Sequence, residues 1–178
     1  MNIHPLFVHF PIALLVAYSG LELATYVWPS TRRLSWLFSV KAFLLFTGAF
    51  AAFAALFTGG IAEDLIKDSA RSYILEVHSP VAGVTTLLYL LLAAAYLERI
   101  SDQKGWSARI VGSNSFLIKI LNLKRYLAHL VLDTWFLPVL ALIAVIGMVV
   151  TGALGAAIVY GPNADPIVSF VYHLFWAQ

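Results

Sequence analysis

The sequence predicts an all-α integral membrane protein, a four-transmembrane-helix up-down bundle. Three observations carry this. Of 178 residues, 61% are hydrophobic and 11% charged, where a soluble domain carries about a quarter charged residues. Four apolar runs, about 6–28, 37–58, 80–97 and 135–159, match the roughly 20 residues that cross a bilayer core. The basic residues then fall on one side: Arg32, Arg33, Lys41, Arg99, Lys104, Arg109, Lys119, Lys124 and Arg125 lie there, against Lys67 and Arg71 opposite. Positive charge is retained in the cytoplasm. Both termini are therefore expected to face the periplasm, from a bacterial inner membrane. No nucleic-acid partner is expected. The absence of cysteine excludes disulfides, thiolate metal sites and covalent c-type haem attachment.

The first helix starts at HPLFVHFPIALL, with His4 or Pro5 in a first turn that tolerates proline. Pro11 frees the carbonyl of Phe7 and should bend the helix just past His9. No basic residue precedes this run, Glu22 interrupts it and Arg32–Arg33 follow, which predicts a retained helix rather than a cleaved signal. Glu22 and Lys41 lie at similar depth on the basic side. A buried carboxylate needs a partner, so a Glu22–Lys41 pair is expected; separate snorkelling to the interface is the alternative.

The second helix mixes small and aromatic residues. Gly48, Ala51, Ala52 and Ala55 predict close helix packing, with a flat cofactor against that surface as the sharper alternative. IAEDLIKDSARSYILEVH predicts a short periplasmic helix or an extension of the flanking spans, and His78–Ser79–Pro80 marks entry to the third helix. The insertion 98–134 is expected in the cytoplasm. There GSNS is a capped turn, and SFLIKILNLKRYLAHLVLD reads as a basic amphipathic helix on anionic headgroups or against a partner subunit. The fourth span closes in TGALGAAIVYG, with Gly152 and Gly155 on one face. The bundle thus covers 1–161, and 162–178 forms an apolar tail resting in the outer interface.

This topology sorts the five histidines. His4, His9, His78 and His173 fall near the outer boundary, and His129 alone is cytoplasmic. Ionisable groups at the edge of a bundle tend to face inward and mark a site. Imidazoles from facing helices hold b-type haem iron, and His9 with His78 is the best pair, from separate helices at matching depth. His4, about 140° around the helix from His9, would cap the site, serve a second one with His173, or bond at the interface. Lys67 and Arg71 would steady haem propionates. Taken singly, interfacial histidines usually bond headgroups or carbonyls. A non-haem site joining His4, His9 or His78 to Glu63 or Asp64 also fits zinc, iron or copper. No second histidine pair builds a two-haem wire, no line of acids crosses the membrane, and no nucleophile motif supports an autonomous hydrolase.

HPLFVHFPIALL, an acid after the second helix (Asp64), His78 at the third and the closing GALGAAIVYG together resemble the bacterial membrane proteins grouped as domain of unknown function 2231. The likeness extends through Gly161 and places the family's two histidines and two prolines on His4, His9, Pro5 and Pro11. It implies a four-helix inner-membrane protein, related to members joined to periplasmic cytochrome c or Rieske-type modules. By that analogy it implies electron transfer. The long basic insertion and apolar tail depart from the pattern and suggest docking surfaces. The expected function is a haem b redox subunit, relaying electrons between quinol and a periplasmic carrier, with glycines and alanines of the second and fourth spans making room for the ring. The alternatives are a cofactor-free structural or assembly subunit and a periplasmic-side metal site.

Overall fold

The computed structural model describes residues 4–64, 69–112 and 114–176, with side chains from residue 8 onward. Its helices are α1 (His4–Val27), α2 (Ser35–Asp64), α3 (Leu75–Gln103), α4 (Trp106–Val111), α5 (Ser115–Leu132), α6 (Phe136–Tyr160) and α7 (Pro166–Phe175), with single turns at Pro29–Arg33 and Ser72–Ile74. No strand occurs among the described residues. The helices α1, α2, α3 and α6 are long and apolar enough to cross a membrane, which makes this a multi-pass protein. At 1.5 Å per residue the 30-residue α2 is about 45 Å long. It therefore outruns a hydrocarbon core of about 30 Å.

The stretch between the second and third spans extends both of them, one of its two expected forms, and so moves two boundaries. Ile61–Asp64 continue α2, and α3 begins at Leu75, so Pro80 lies inside α3 rather than at its entry. Proline there removes only the bond to the carbonyl of Glu76. Glu76 and Pro80 both line a recess at this end of the bundle, where water can take over that carbonyl.

Around the bundle α1 packs on α2, α2 on α3, α3 on α6 and α6 on α1. The helices α1 and α3 therefore face each other across a diagonal. Neighbours run antiparallel: Glu22 meets Lys41 while Leu15 meets Gly48, and His78 meets Gly155 while Thr85 meets Gly147. The core holds Leu15, Tyr18, Leu45, Tyr89, Leu92, Tyr96 and Ala144. Glycine is required at two of its crossings. A Cβ on Gly48 would lie 2.7 Å from the Leu15 side chain, and one on Gly147 would lie 2.4 Å from Thr85 Oγ1.

A second cluster (Ile74, Ala153, Leu154, Ala157, Val168, Val171) holds the tail helix α7 onto α6. Asp165 caps α7 by accepting from the backbone N–H groups of Ile167 (2.8 Å) and Val168 (2.9 Å), with Pro166 in the first turn. The insertion forms two helices, not one. Asn114 caps α5, its side chain accepting from Phe116 and Leu117 N–H. The cations expected on headgroups divide: Lys124 pairs with Glu98 (2.8 Å) and Arg125 with Asp102 (2.5 Å), so both turn inward onto α3.

Candidate functional site

The bundle presents two polar regions, one at the end where the histidines gather and one in the half nearer the basic residues. At the histidine end, residues 78, 85, 89 and 96 of α3 share one helical face. Thr85, Tyr89 and Tyr96 on it are buried, so this face looks into the bundle. The His78 ring lies against α6, its Cε1 3.3 Å from where a Cβ on Gly155 would stand. On α1, His9 is exposed and shares a face with Ile12 and Val16. These two line an apolar recess between α1, α6 and the start of α7, and Ile12 Cδ1 is 3.8 Å from a Cβ placed on Gly152. Ile12 and His78 therefore meet the small-residue surface of α6 from opposite sides, while the His9 ring, one turn before Ile12, is exposed. His9 sits toward the α6 flank of its helix rather than on the stripe of Leu15, Tyr18 and Glu22. Residue 4 shares the register of that stripe, eleven positions before Leu15.

The other candidates disperse. His173 is exposed on α7, edge-on to Tyr172 with ring centroids 5.5 Å apart. Lys67 lies outside the described residues, as does the His4 side chain. The Arg71 guanidinium donates to the carbonyls of Ile158 (3.1 Å) and Val159 (3.0 Å). It thereby satisfies acceptors that a helix C-terminus leaves open and places a cation at the negative end of the α6 dipole. Gly161, at φ 101°, turns the chain beside it. A water-facing recess of about 500 Å³ nearby is lined by Glu63, Ser72, Tyr73, Glu76 and Ser79. Its carboxylates favour cations over propionates. Glu63 accepts from Ser79 Oγ at 3.4 Å, and among the described residues no three of His, Asp and Glu converge as a metal site.

The second region is fully enclosed. Glu22 Oε2 takes the Lys41 ammonium at 2.8 Å, with side chains 2% and 10% exposed, and Oε1 accepts from the Tyr96 hydroxyl across the diagonal. The expected pair is thus formed, and a third helix joins it. Tyr96 stacks on Phe38 of α2 (centroids 5.0 Å). Tyr18 packs edge-on to both Tyr89 and Tyr96, its hydroxyl buried beside Glu22 and Tyr96 but outside hydrogen-bond geometry with either. Ser19 Oγ and Tyr89 Oη are 2.9 Å apart. This hydroxyl column follows the seven-four-seven spacing of residues 78, 85, 89 and 96, a signal that a search for acids and histidines passes over.

At the basic end, buried Glu98 receives Lys124 and sits 3.5 Å from Ser107 Oγ. Asp133 pairs with Arg99 (2.6 Å) and His129 Nδ1 (2.5 Å). Partial burial pushes the Asp133 carboxyl up, but the hydrogen bonds and charges of Arg99 and His129 outweigh it and hold the group below its ordinary value.

No curated protein and no solved structure matches the chain. A family model described as a predicted membrane protein, DUF2231, matches residues 1–164, which takes in all four long helices and both polar regions. With most of its length inside that match, the chain belongs to the DUF2231 family of membrane proteins.

Proposed function

We propose that this protein is a redox subunit of the bacterial inner membrane, binding haem b near its periplasmic end through His78 and a histidine of α1. Both termini face the periplasm in this reading, because nine of the eleven basic residues gather at the opposite end. The observation that carries it is the placement of His78. It stands on the bundle-facing side of α3 against Gly155, with the histidine-bearing α1 on the diagonal. Imidazole donors fit a low-spin b-type iron, which when bound supplies one-electron transfer. The residues' own part is to fix two rings on rigid helices and to exclude water through the α6 surface. Quinol and a periplasmic carrier are the partners proposed on either side. The cationic component of the site fits less well, since Arg71 is engaged by the α6 carbonyls.

That last observation favours a second reading, a cofactor-free structural or assembly subunit. Gly48, Gly147, Gly152 and Gly155 each receive a side chain from a neighbouring helix, namely Leu15, Thr85, Ile12 and His78. The small residues then serve packing alone. A reduced-minus-oxidised spectrum of protein expressed with ample haem separates the two. The redox reading expects a Soret band that His78→Ala abolishes, and one of His9→Ala or His4→Ala removes it as well. A colourless protein that co-purifies stoichiometrically with other subunits overturns it in favour of the second, and metal analysis of the same sample tests a non-haem site.

A further inference from the structure

The insertion carries more than its docking contacts. Arg125 meets Asp102, and Asp133, just past α5, meets Arg99. Eight positions along α5, about 12 Å, thus correspond to three along α3, about 4.5 Å. The helix α5 therefore runs across the end of α3 instead of along it, and stops just before α6 enters its span at Phe136. Its face toward the bundle buries Leu121 and Ala128. On the far side Phe116, Ile120, Leu123 and Leu127 form one stripe, exposed by 68, 41, 57 and 47%. The short α4 exposes Trp106 and Ile110 in the same way. Around these apolar surfaces Lys104, Arg109 and Lys119 pair with no acid among the described residues, while Lys124 and Arg125 are consumed by α3.

We propose that α4 and α5 form a platform lying in the membrane leaflet at the basic end, where the stripe enters the acyl region and Arg109, Lys119 and Lys104 bind the phosphates of anionic phospholipid. Charge complementarity selects this occupant. An apolar stripe on α5 flanked by Lys119 and by the cations of α4 and the end of α3, level with the start of a span, matches an anionic interface on both counts. The ion pairs to α3 set the rotation of α5, so that Lys119 and the stripe face away from the bundle.

The chain lacks cysteine, so single cysteines report position cleanly. Fluorophores on Ile120→Cys, Leu123→Cys and Leu127→Cys, in vesicles of the purified protein, are expected to be quenched by spin-labelled lipid. One on Asn122→Cys should answer to an aqueous quencher. In detergent, wild type should retain phosphatidylglycerol over phosphatidylcholine by native mass spectrometry. Arg109→Gln and Lys119→Gln should each weaken that retention about five-fold, as expected per basic residue at a lipid surface. Stripe positions as water-accessible as residue 122, cross-links between protein copies through the stripe, or equal retention of the two lipids would each overturn the proposal.

Discussion

The Glu22–Lys41–Tyr96 cluster gives the sharpest test of how the bundle is held. Its perturbation is the removal of one charge at a time. With the Glu22 side chain 2% exposed and Lys41 10% exposed, neither group recovers full hydration when its partner is lost. Removing one member of such a pair costs about 3–5 kcal/mol, whereas replacing both with apolar groups of similar volume is near neutral or stabilising. Lys41→Met and Glu22→Leu are therefore each expected to destabilise by about 3 kcal/mol. The double variant should lie within about 1 kcal/mol of wild type, less the hydrogen bond that Tyr96 then loses. That bond goes to a charged acceptor, so Tyr96→Phe alone should cost about 2 kcal/mol. Reversible unfolding in mixed micelles, run as a double-mutant cycle, measures the coupling. Additive single effects, summing to about 6 kcal/mol in the double variant, would show that the pair is not buried as described. The reasoning would also fail if both singles were neutral, since the charges would then be snorkelling separately.

Three further outcomes follow from the geometry. Gly48→Ala should destabilise by about 1–3 kcal/mol in thermal unfolding because its methyl meets buried Leu15 at 2.7 Å; Gly60→Ala, with nothing within 4 Å, should be neutral or slightly stabilising. Arg71→Ala uncovers two carbonyls at the end of α6, so hydrogen exchange at residues 158–172 should quicken several-fold while α1 and α2 keep their protection. Asp133 is held below its ordinary value in the folded protein, so its contribution is present above the ordinary carboxylate range and is lost as pH falls through the depressed value. Proteolysis of the α5–α6 junction should therefore rise in acid, and Asp133→Asn should raise it at neutral pH and flatten that dependence.

The fold was legible because its signals are long-range averages. Each span is a long run dominated by apolar residues, and the alternation of basic residues marks the two ends whatever the local detail. The Glu22–Lys41 pair was legible for a different reason: the membrane leaves a buried charge few choices, so matching depth is nearly a contact prediction. What escaped was rotation. Lys124 and Arg125 read as headgroup ligands until α3 supplied Glu98 and Asp102, since sequence gives the angle of a side chain around its helix but not which neighbour occupies that angle. The same limit applies to His9. Depth matched it to His78, whereas register takes it off the buried stripe and leaves it exposed one turn before Ile12. Arg71, assigned by proximity to His78, instead closes the end of a helix 87 residues away, a contact that no local pattern announces.

The two polar regions also divide the work of the molecule, and this decides how the histidine experiments can be read. In the half nearer the basic end, α1, α2 and α3 are keyed together by Glu22, Lys41 and Tyr96, with Ser19–Tyr89 a turn further along. The ion pairs of Glu98, Asp102 and Asp133 then lock the insertion across that end. His78 belongs to none of these contacts. It stands at the other end against Gly155, near a recess open to water, so trimming its ring perturbs that end and leaves the crossed network whole. His78→Ala should therefore keep the wild-type unfolding transition to within about 1–2 kcal/mol. If it does, loss of a Soret band in that variant reports a lost ligand. If instead the variant unfolds as readily as Lys41→Met, His78 is part of the scaffold, and the cofactor-free reading gains what the redox reading loses.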